Sequence, residues 1–238
     1  FGDADNFYLP GRFKKDKELL LNDTSLDGVY NAQGIHYYSK KAKEIFFESG
    51  LGEGTFLSVS KSVPPEELIY VLLNAHPEVR VVGGLGIDAL TLRRKAFEKA
   101  GMFEPGLRQM QDVHIYVRLA ATCRLASGDL RESVAVRGVH EQMRSTNAEA
   151  QQRYWIDCWN NLYRWFVSAE ISRSIWEAFE ANYVRIMVAN ASRRKARRLF
   201  LGYILRHPRI IPKANGFFDF CLYDALRHMP SRESFTRR

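Results

Sequence analysis

The sequence predicts an α/β chain followed by an α-helical C-terminal region. Two observations carry that prediction. Up to residue 147, short β-rich stretches take turns with helical ones, punctuated by Gly, Pro, Asn and Asp. From Ala148 to Leu205 the chain is almost free of Gly and Pro, Gly202 excepted, and carries Trp, Tyr and Arg at helical spacing. The division read from this texture is 1–147 and 148–238.

The elements follow in order. Leu9 to Leu21 is an amphipathic run with Pro10 placed for a first helical turn. Asn22-Asp23 and Asp27-Gly28 are turn signals. Val29 to Tyr38 reads as a strand and Lys40 to Ser49 as a short helix, before the flexible break Gly50-Leu51-Gly52-Glu53-Gly54. Pro64-Pro65-Glu66-Glu67 opens a helix through Leu73, with its acids at the N-terminal end. Val79 to Val82 is β-rich and ends at Gly83-Gly84. Arg93 to Ala100 is helical and stops at Gly101, Asp112 to Ala126 is a longer helix, and Ser133 to Val139 is a strand. Beyond Ala148, two or three helices precede a break at His207-Pro208, and a last helix lies near Phe217–His228. The aromatic side chains Tyr154, Trp155, Trp159, Tyr163 and Phe166 read as packing.

Composition bounds the function. With 238 residues, 46% hydrophobic and 26% charged, the chain is of globular type. No run approaches the ~18 apolar residues of a membrane span. Its net charge of +8 is uneven: residues 1–150 balance at −1, and residues 151–238 carry +9. Cys123, Cys158 and Cys221 are widely spaced and form no Cys-x-x-Cys pair, which argues against a zinc or redox motif and for small hydrophobes in a reducing cytoplasm.

Three groups of residues have the composition of a reactive site. Asp3-Ala4-Asp5 offers two carboxylates two residues apart, suited to a hard divalent cation and a diphosphate, or to a solvated turn. Gln111-Asp112 stands at a helix start, where the carboxylate is an N-cap or a general base. Arg137-Gly138-Val139-His140 leaves a strand with an imidazole, which is structural or completes a metal site begun by a carboxylate elsewhere.

The order of these groups adds to their content. Asp3-Ala4-Asp5-Asn6 with Leu9-Pro10 is followed by Gly86-Ile87-Asp88 through Arg93-Arg94-Lys95-Ala96-Phe97 to Gly101-Met102-Phe103. Gln111-Asp112 then precedes Arg118-Leu119-Ala120, and Arg137-Gly138-Val139-His140 comes last. Together they resemble the second half of a GT-A-fold glycosyltransferase of family 2, over residues 1–147. The resemblance implies a partial GT-A (nucleotide-diphospho-sugar transferase-like) domain and a metal-dependent, inverting, non-processive sugar transfer. Its donor would be a nucleotide-diphosphate sugar. Its acceptor would be a hydroxyl, with a lipid-linked glycan among the candidates, in cell-surface polysaccharide or glycolipid synthesis.

By the same resemblance, Asp5 would bind Mn2+ or Mg2+ and His140 would supply a further metal or diphosphate contact. Asp3 and Arg137 would lie on the donor side. Gly86, Asp88 and Gln111 would lie on the acceptor side, and Asp112 would be the catalytic base. Gln111 departs from the family's usual glutamate, and Asn6 stands where a third acid is common. The family's motif follows several βα units, roughly 90 residues at about 30 per unit. Phe1 therefore reads as the start of a truncated portion that cannot turn over by itself.

The basic run Arg193-Arg194-Lys195-Ala196-Arg197-Arg198-Leu199-Phe200-Leu201 reads as a solvated helical face or as a helix on an anionic membrane surface at the cytoplasmic side. Nucleic acid is the less favoured partner. The alternative to an enzyme is a non-catalytic helical interaction module whose basic tail binds membrane or nucleic acid.

Overall fold

A strand pattern broken by one buried asparagine organises the structure. The computed structural model describes residues 5–48, 56–142 and 148–191, with 198, 201–203, 205 and 206. The run read as one strand is two: β2 (Gly28–Tyr30) and β3 (Ala32–Tyr37), which belong to different sheets. Asn31 between them is buried. Its Nδ2 donates to Asp16 Oδ1 at 3.0 Å and to the Ala89 carbonyl at 3.2 Å, and its Oδ1 accepts from the Asp129 amide at 2.6 Å. Such bonds compete with a sheet ladder and turn the chain from one sheet into the next.

The larger sheet has the order β1 (Phe7–Tyr8), β8 (Ser133–Val139), β3, β4 (Phe56–Val59), β5 (Val81–Val82). β3 and β8 are parallel and the other pairs antiparallel. The smaller sheet is β6 (Leu90–Leu92), β2, β7 (Leu125–Ser127), with β2 parallel to β7. Gly28 permits the close approach of β6, since a Cβ there would stand 2.6 Å from the Thr91 carbonyl.

α1 spans Lys14–Asn22, later than the pattern suggested. Pro10-Gly11 forms a turn instead, with Gly11 at φ +80°, a conformation suited to glycine. α2 (Lys40–Glu48) starts where expected because Ser39 Oγ accepts the Ala42 amide at 3.0 Å. It buries Ala42 and Phe46 against Val139, with Ile35, Tyr37 and Phe47 packed around them. The Pro64-Pro65 start gives one 3-10 turn and then α3 (Leu68–Leu72), whose Leu68, Ile69 and Val71 are buried.

α4 (Lys95–Ala100) ends at Gly101 with φ +77°. α5 runs Gln111–Thr122 and packs on α3, α4 and α6 (Ala148–Ser168). The expected extension of α5 to Ala126 is corrected, because Leu125, Ala126 and Ser127 pair with β2 as β7. α7 covers Arg173–Ala189.

The chain divides into two units, Phe1–Phe179 and Glu180–Arg238, so α6 belongs with the sheets. In the first unit Trp159, Tyr163 and Phe166 pack with Trp176 and Phe179, and the Phe166 and Phe179 rings stack at 3.8 Å. In the second, Arg206 pairs with the buried Glu180 at 3.1 Å. No helix among the described residues is long and apolar enough to cross a membrane. The break at residues 50–54, the last helix near 217–228 and Cys221 lie outside the described residues. So does the basic run, except Arg198 and Leu201.

Candidate functional site

Parity along β8 decides which side chains meet. In the β3–β8 register Ile35 pairs with Arg137, His36 with Gly138 and Tyr37 with Val139. Strand side chains alternate between faces. Ile35, Tyr37 and Val139 turn toward α2, so Arg137 stands on that face, beside Tyr37. Gly138 takes the other face, where the Asp5 backbone crosses it. A Cβ on Gly138 would lie 2.2 Å from the Asp5 carbonyl oxygen and 2.9 Å from the Tyr38 ring. Arg137, expected on the donor side, is thus placed by period-two alternation on the α2 face, opposite the face that Asp5 crosses.

That crossing brings Asp5 to His140. Asp5 Oδ2 and His140 Nε2 are 3.6 Å apart, with both side chains partly exposed. The Tyr38 hydroxyl donates to the Asp5 carbonyl at 3.5 Å. Phe7, His36 and Tyr38 form an exposed row of rings on this face, in edge-to-face contacts with centroids 6.3 Å and 4.9 Å apart.

Asn6 joins this edge to the interior. Its Oδ1 accepts from the Gly138 amide at 3.0 Å, and its Nδ2 donates to Asp88 Oδ2 at 2.5 Å. Gln33 Nε2 donates to the same oxygen at 3.1 Å. Arg12 Nε donates to the Asp88 carbonyl at 3.0 Å. Asp88 is 3% exposed. Expected on the acceptor side, it stands buried, and its Oδ2 accepts from both Asn6 and Gln33.

Gly86 packs so closely on Gln33 that a Cβ would stand 1.6 Å from Gln33 Oε1. The Gly86 carbonyl accepts from the Tyr116 hydroxyl at 3.0 Å. Tyr116 lies one turn after Asp112 on α5. Its phenol is raised well above the ordinary tyrosine range, by burial and then by the nearby Asp112 carboxylate, with Arg12 opposing. A continuous set of contacts thus runs from Asp5 and Asn6 through Asp88, Gln33, Gly86 and Tyr116 to the first turn of α5.

Asp112 is not the N-cap. Met110 holds that position at φ 62°, an uncommon conformation for a residue with a side chain. Asp112 is the second helical residue, and its Oδ1 accepts from the Val113 amide at 2.8 Å. A carboxylate there is favoured by the helix N-terminus. Gln111 is exposed and its Nε2 donates to the Leu107 carbonyl. On the α6 side of this turn, Cys158 Sγ donates to the Met110 carbonyl at 3.6 Å, and burial pushes its thiol up to about 12 with help from Asp112.

Asp3 lies outside the described residues. Among the described residues no group of three or more His, Cys, Asp or Glu side chains is placed to hold a metal. Asp5 and His140 offer a cation one carboxylate oxygen and one imidazole nitrogen. The carboxylate suits Mg2+ or Mn2+, which keep waters and take substrate phosphates besides one or two carboxylates, and the imidazole is the softer donor of the two. Cis ligands at about 2.1 Å stand about 3 Å apart, so the pair has to close by about half an ångström.

Gln33 and Tyr116 were given no role by the sequence, and Asn6 and Gly138 were named only as members of their motifs. Gly138 carried a signal, since glycine inside a strand marks close approach of another backbone. The others carried none, because their partners are distant along the chain. No family model, curated protein or solved structure matches the chain.

Proposed function

We propose that the chain carries the metal- and base-bearing part of an inverting, non-processive glycosyltransferase, moving a sugar from a nucleotide-diphosphate sugar to a hydroxyl acceptor. The observation that supports this reading is the approach of Asp5 to His140 at 3.6 Å, from opposite ends of the first 140 residues. Those two residue types are the ones that the GT-A resemblance assigns to one cation.

The residues' own chemistry follows. Asp5 and His140 would hold a divalent cation, and Mn2+ or Mg2+ bound there would supply neutralisation of the negative charge that develops on the departing diphosphate. Asp112 uses Oδ1 on the Val113 amide, which orients the carboxylate and leaves Oδ2 to take the acceptor hydroxyl's proton. A single displacement at the anomeric carbon inverts its configuration. Gln111 braces the turn that presents Asp112 by donating to Leu107. A cytoplasmic enzyme with a lipid-linked acceptor, touching the inner membrane face through its basic C-terminal run, completes the proposal.

The test uses the protein expressed from its complete reading frame, with UDP and GDP as probes and Mn2+ present. Nucleotide binding should require Mn2+ and be lost in Asp5→Ala. Transfer from UDP- or GDP-sugars should fall by about 10²–10⁴ in Asp112→Asn with nucleotide binding kept. Binding of neither nucleotide, with or without Mn2+, would overturn the enzyme and leave the helical interaction module.

A further inference from the structure

We infer that Asn6 is a positioning residue that sets the geometry of the Asp5–His140 pair, and that its buried partner Asp88 makes it so. The inference rests on the reading of Asp5 and His140 as cation ligands.

The β1–β8 ladder shows why. Phe7 pairs with Val136 and Tyr8 with Ala135, and Leu9 N donates to the Val134 carbonyl. The next amide along β8 on this side is Gly138 N. It donates to the Asn6 side chain. The ladder therefore ends on a side chain, and the backbone of Asp5 is released to cross over Gly138 toward His140. A second bond fixes that side chain: Asn6 Nδ2 donates to Asp88 Oδ2, which Gln33 also holds. Asp88 is fixed in turn by the Arg12 bond to its carbonyl.

An amide meets both demands. It must accept from Gly138 N with one atom and donate to a carboxylate with the other. An acid accepts at both ends and confronts Asp88 with a like charge. This separates positioning from simple electrostatics. A carboxylate at position 6 adds negative charge beside the cation ligands and, acting through charge alone, strengthens cation binding. Acting through position, the same carboxylate is pushed off Asp88, moves Asp5 and weakens it.

The experiment measures Mn2+ affinity of the full chain by EPR of free Mn2+, on wild type, D5A, N6A, N6D, D88N and the double variant N6D/D88N. Thermal unfolding is followed in parallel, and the titrations run at low temperature where every variant is folded. D5A tests the underlying reading and should lose Mn2+. N6A and N6D should each weaken Mn2+ by about tenfold or more, the usual effect of removing a residue that orients a metal ligand. N6D/D88N should recover part of the loss, because the amide now sits at position 88 and donates back across the same gap, with the Gln33 amide turned so that its Oε1 accepts where its Nε2 donated before.

N6A at wild-type affinity, N6D at or above it, or a double variant no better than N6D overturns the positioning role while D5A keeps the cation reading intact. A melting temperature that falls in N6A and N6D without any change in Mn2+ affinity identifies a merely structural bond. A wild-type chain that takes up no Mn2+ overturns the reading of the pair and the inference together.

Discussion

Asn6 Nδ2 lies 2.5 Å from Asp88 Oδ2, a bond that spans 82 residues of sequence and ties an exposed strand edge to a buried carboxylate. Asp88 Oδ2 also accepts from Gln33, which is 1% exposed. Removing that acceptor leaves two amide donors without it in a site that excludes water. Asp88→Ala should therefore cost about 2–4 kcal/mol, the range for losing bonds to a charged group and stranding their partners. Asp88→Asn keeps an acceptor oxygen and should cost less than half as much. Urea unfolding checks this: the midpoint should fall in that order with the slope unchanged. Equal midpoints for the two variants would contradict the bond's importance.

Gly138 lets the Asp5 backbone cross toward His140 by having no side chain. Gly138→Ala places a methyl 2.2 Å from the Asp5 carbonyl, backbone against a methyl, with no flexible group to yield. The Asp5 strand edge has to lift. The expected result is loss of Mn2+ binding with about 1–3 kcal/mol of overpacking cost. Gly106→Ala is the control, since a methyl there meets nothing closer than Glu104 Oε1 at 3.5 Å. Mn2+ titration and denaturant unfolding should leave the control unchanged. A Gly138→Ala protein that binds Mn2+ like wild type would show that Asp5 does not depend on this crossing.

Local signals and long-range ones separate cleanly in this chain. Lys40–Glu48 and Ser133–Val139 were legible because periodicity and a Ser39 cap suffice to specify them. The break at Asn31 was not, since Val29 to Tyr38 is an unbroken β pattern until Asp16, Ala89 and Asp129 claim the asparagine. Ala126 suited a helix as well as a strand, and only pairing with Val29 of β2 decides it. At the site, the order of Asp5, Asp112 and His140 could be read, and the Asn6–Asp88–Gln33 contact could not. The face that Arg137 takes was legible too, since counting by twos from Val139 puts it on the apolar face.

His114 gives a pH prediction. It is 2% exposed, and burial, with Arg118 one turn away, lowers its pKa to about 4. The unfolded chain takes up the proton near pH 6.5, whereas the folded chain resists until about 4. The unfolded state thus binds more protons in that window, and stability falls as pH drops through it. The full loss is about 3 kcal/mol, reached near pH 4. His114→Leu removes the group, so its advantage over wild type in urea unfolding should grow steadily from pH 7 to pH 4.5. Comparing slopes against pH cancels any fixed packing change. Parallel pH profiles for the two proteins would mean that His114 does not titrate this way.

Of the two described thiols, Cys158 reports on the joint between α5 and α6, whereas Cys123 lies at the far end of α5 against Ala96 of α4. Cys123 and Cys158 are both buried, and burial raises both thiols, Cys158 to about 12. Thiolate is the reactive form, so each is protected twice, by access and by protonation. Cys158 also donates to the Met110 carbonyl, at the turn that presents Asp112. It can meet a reagent only when α6 leaves that turn. In a Cys221→Ser background, DTNB should label Cys158 about a thousandfold more slowly than in denaturant, the factor set by an opening free energy of about 4 kcal/mol. Low urea should speed Cys158 labelling before the global transition if α6 opens locally, and only with that transition if α5 and α6 open together. Fast labelling in the absence of urea would show that the turn carrying Asp112 is not held by α6.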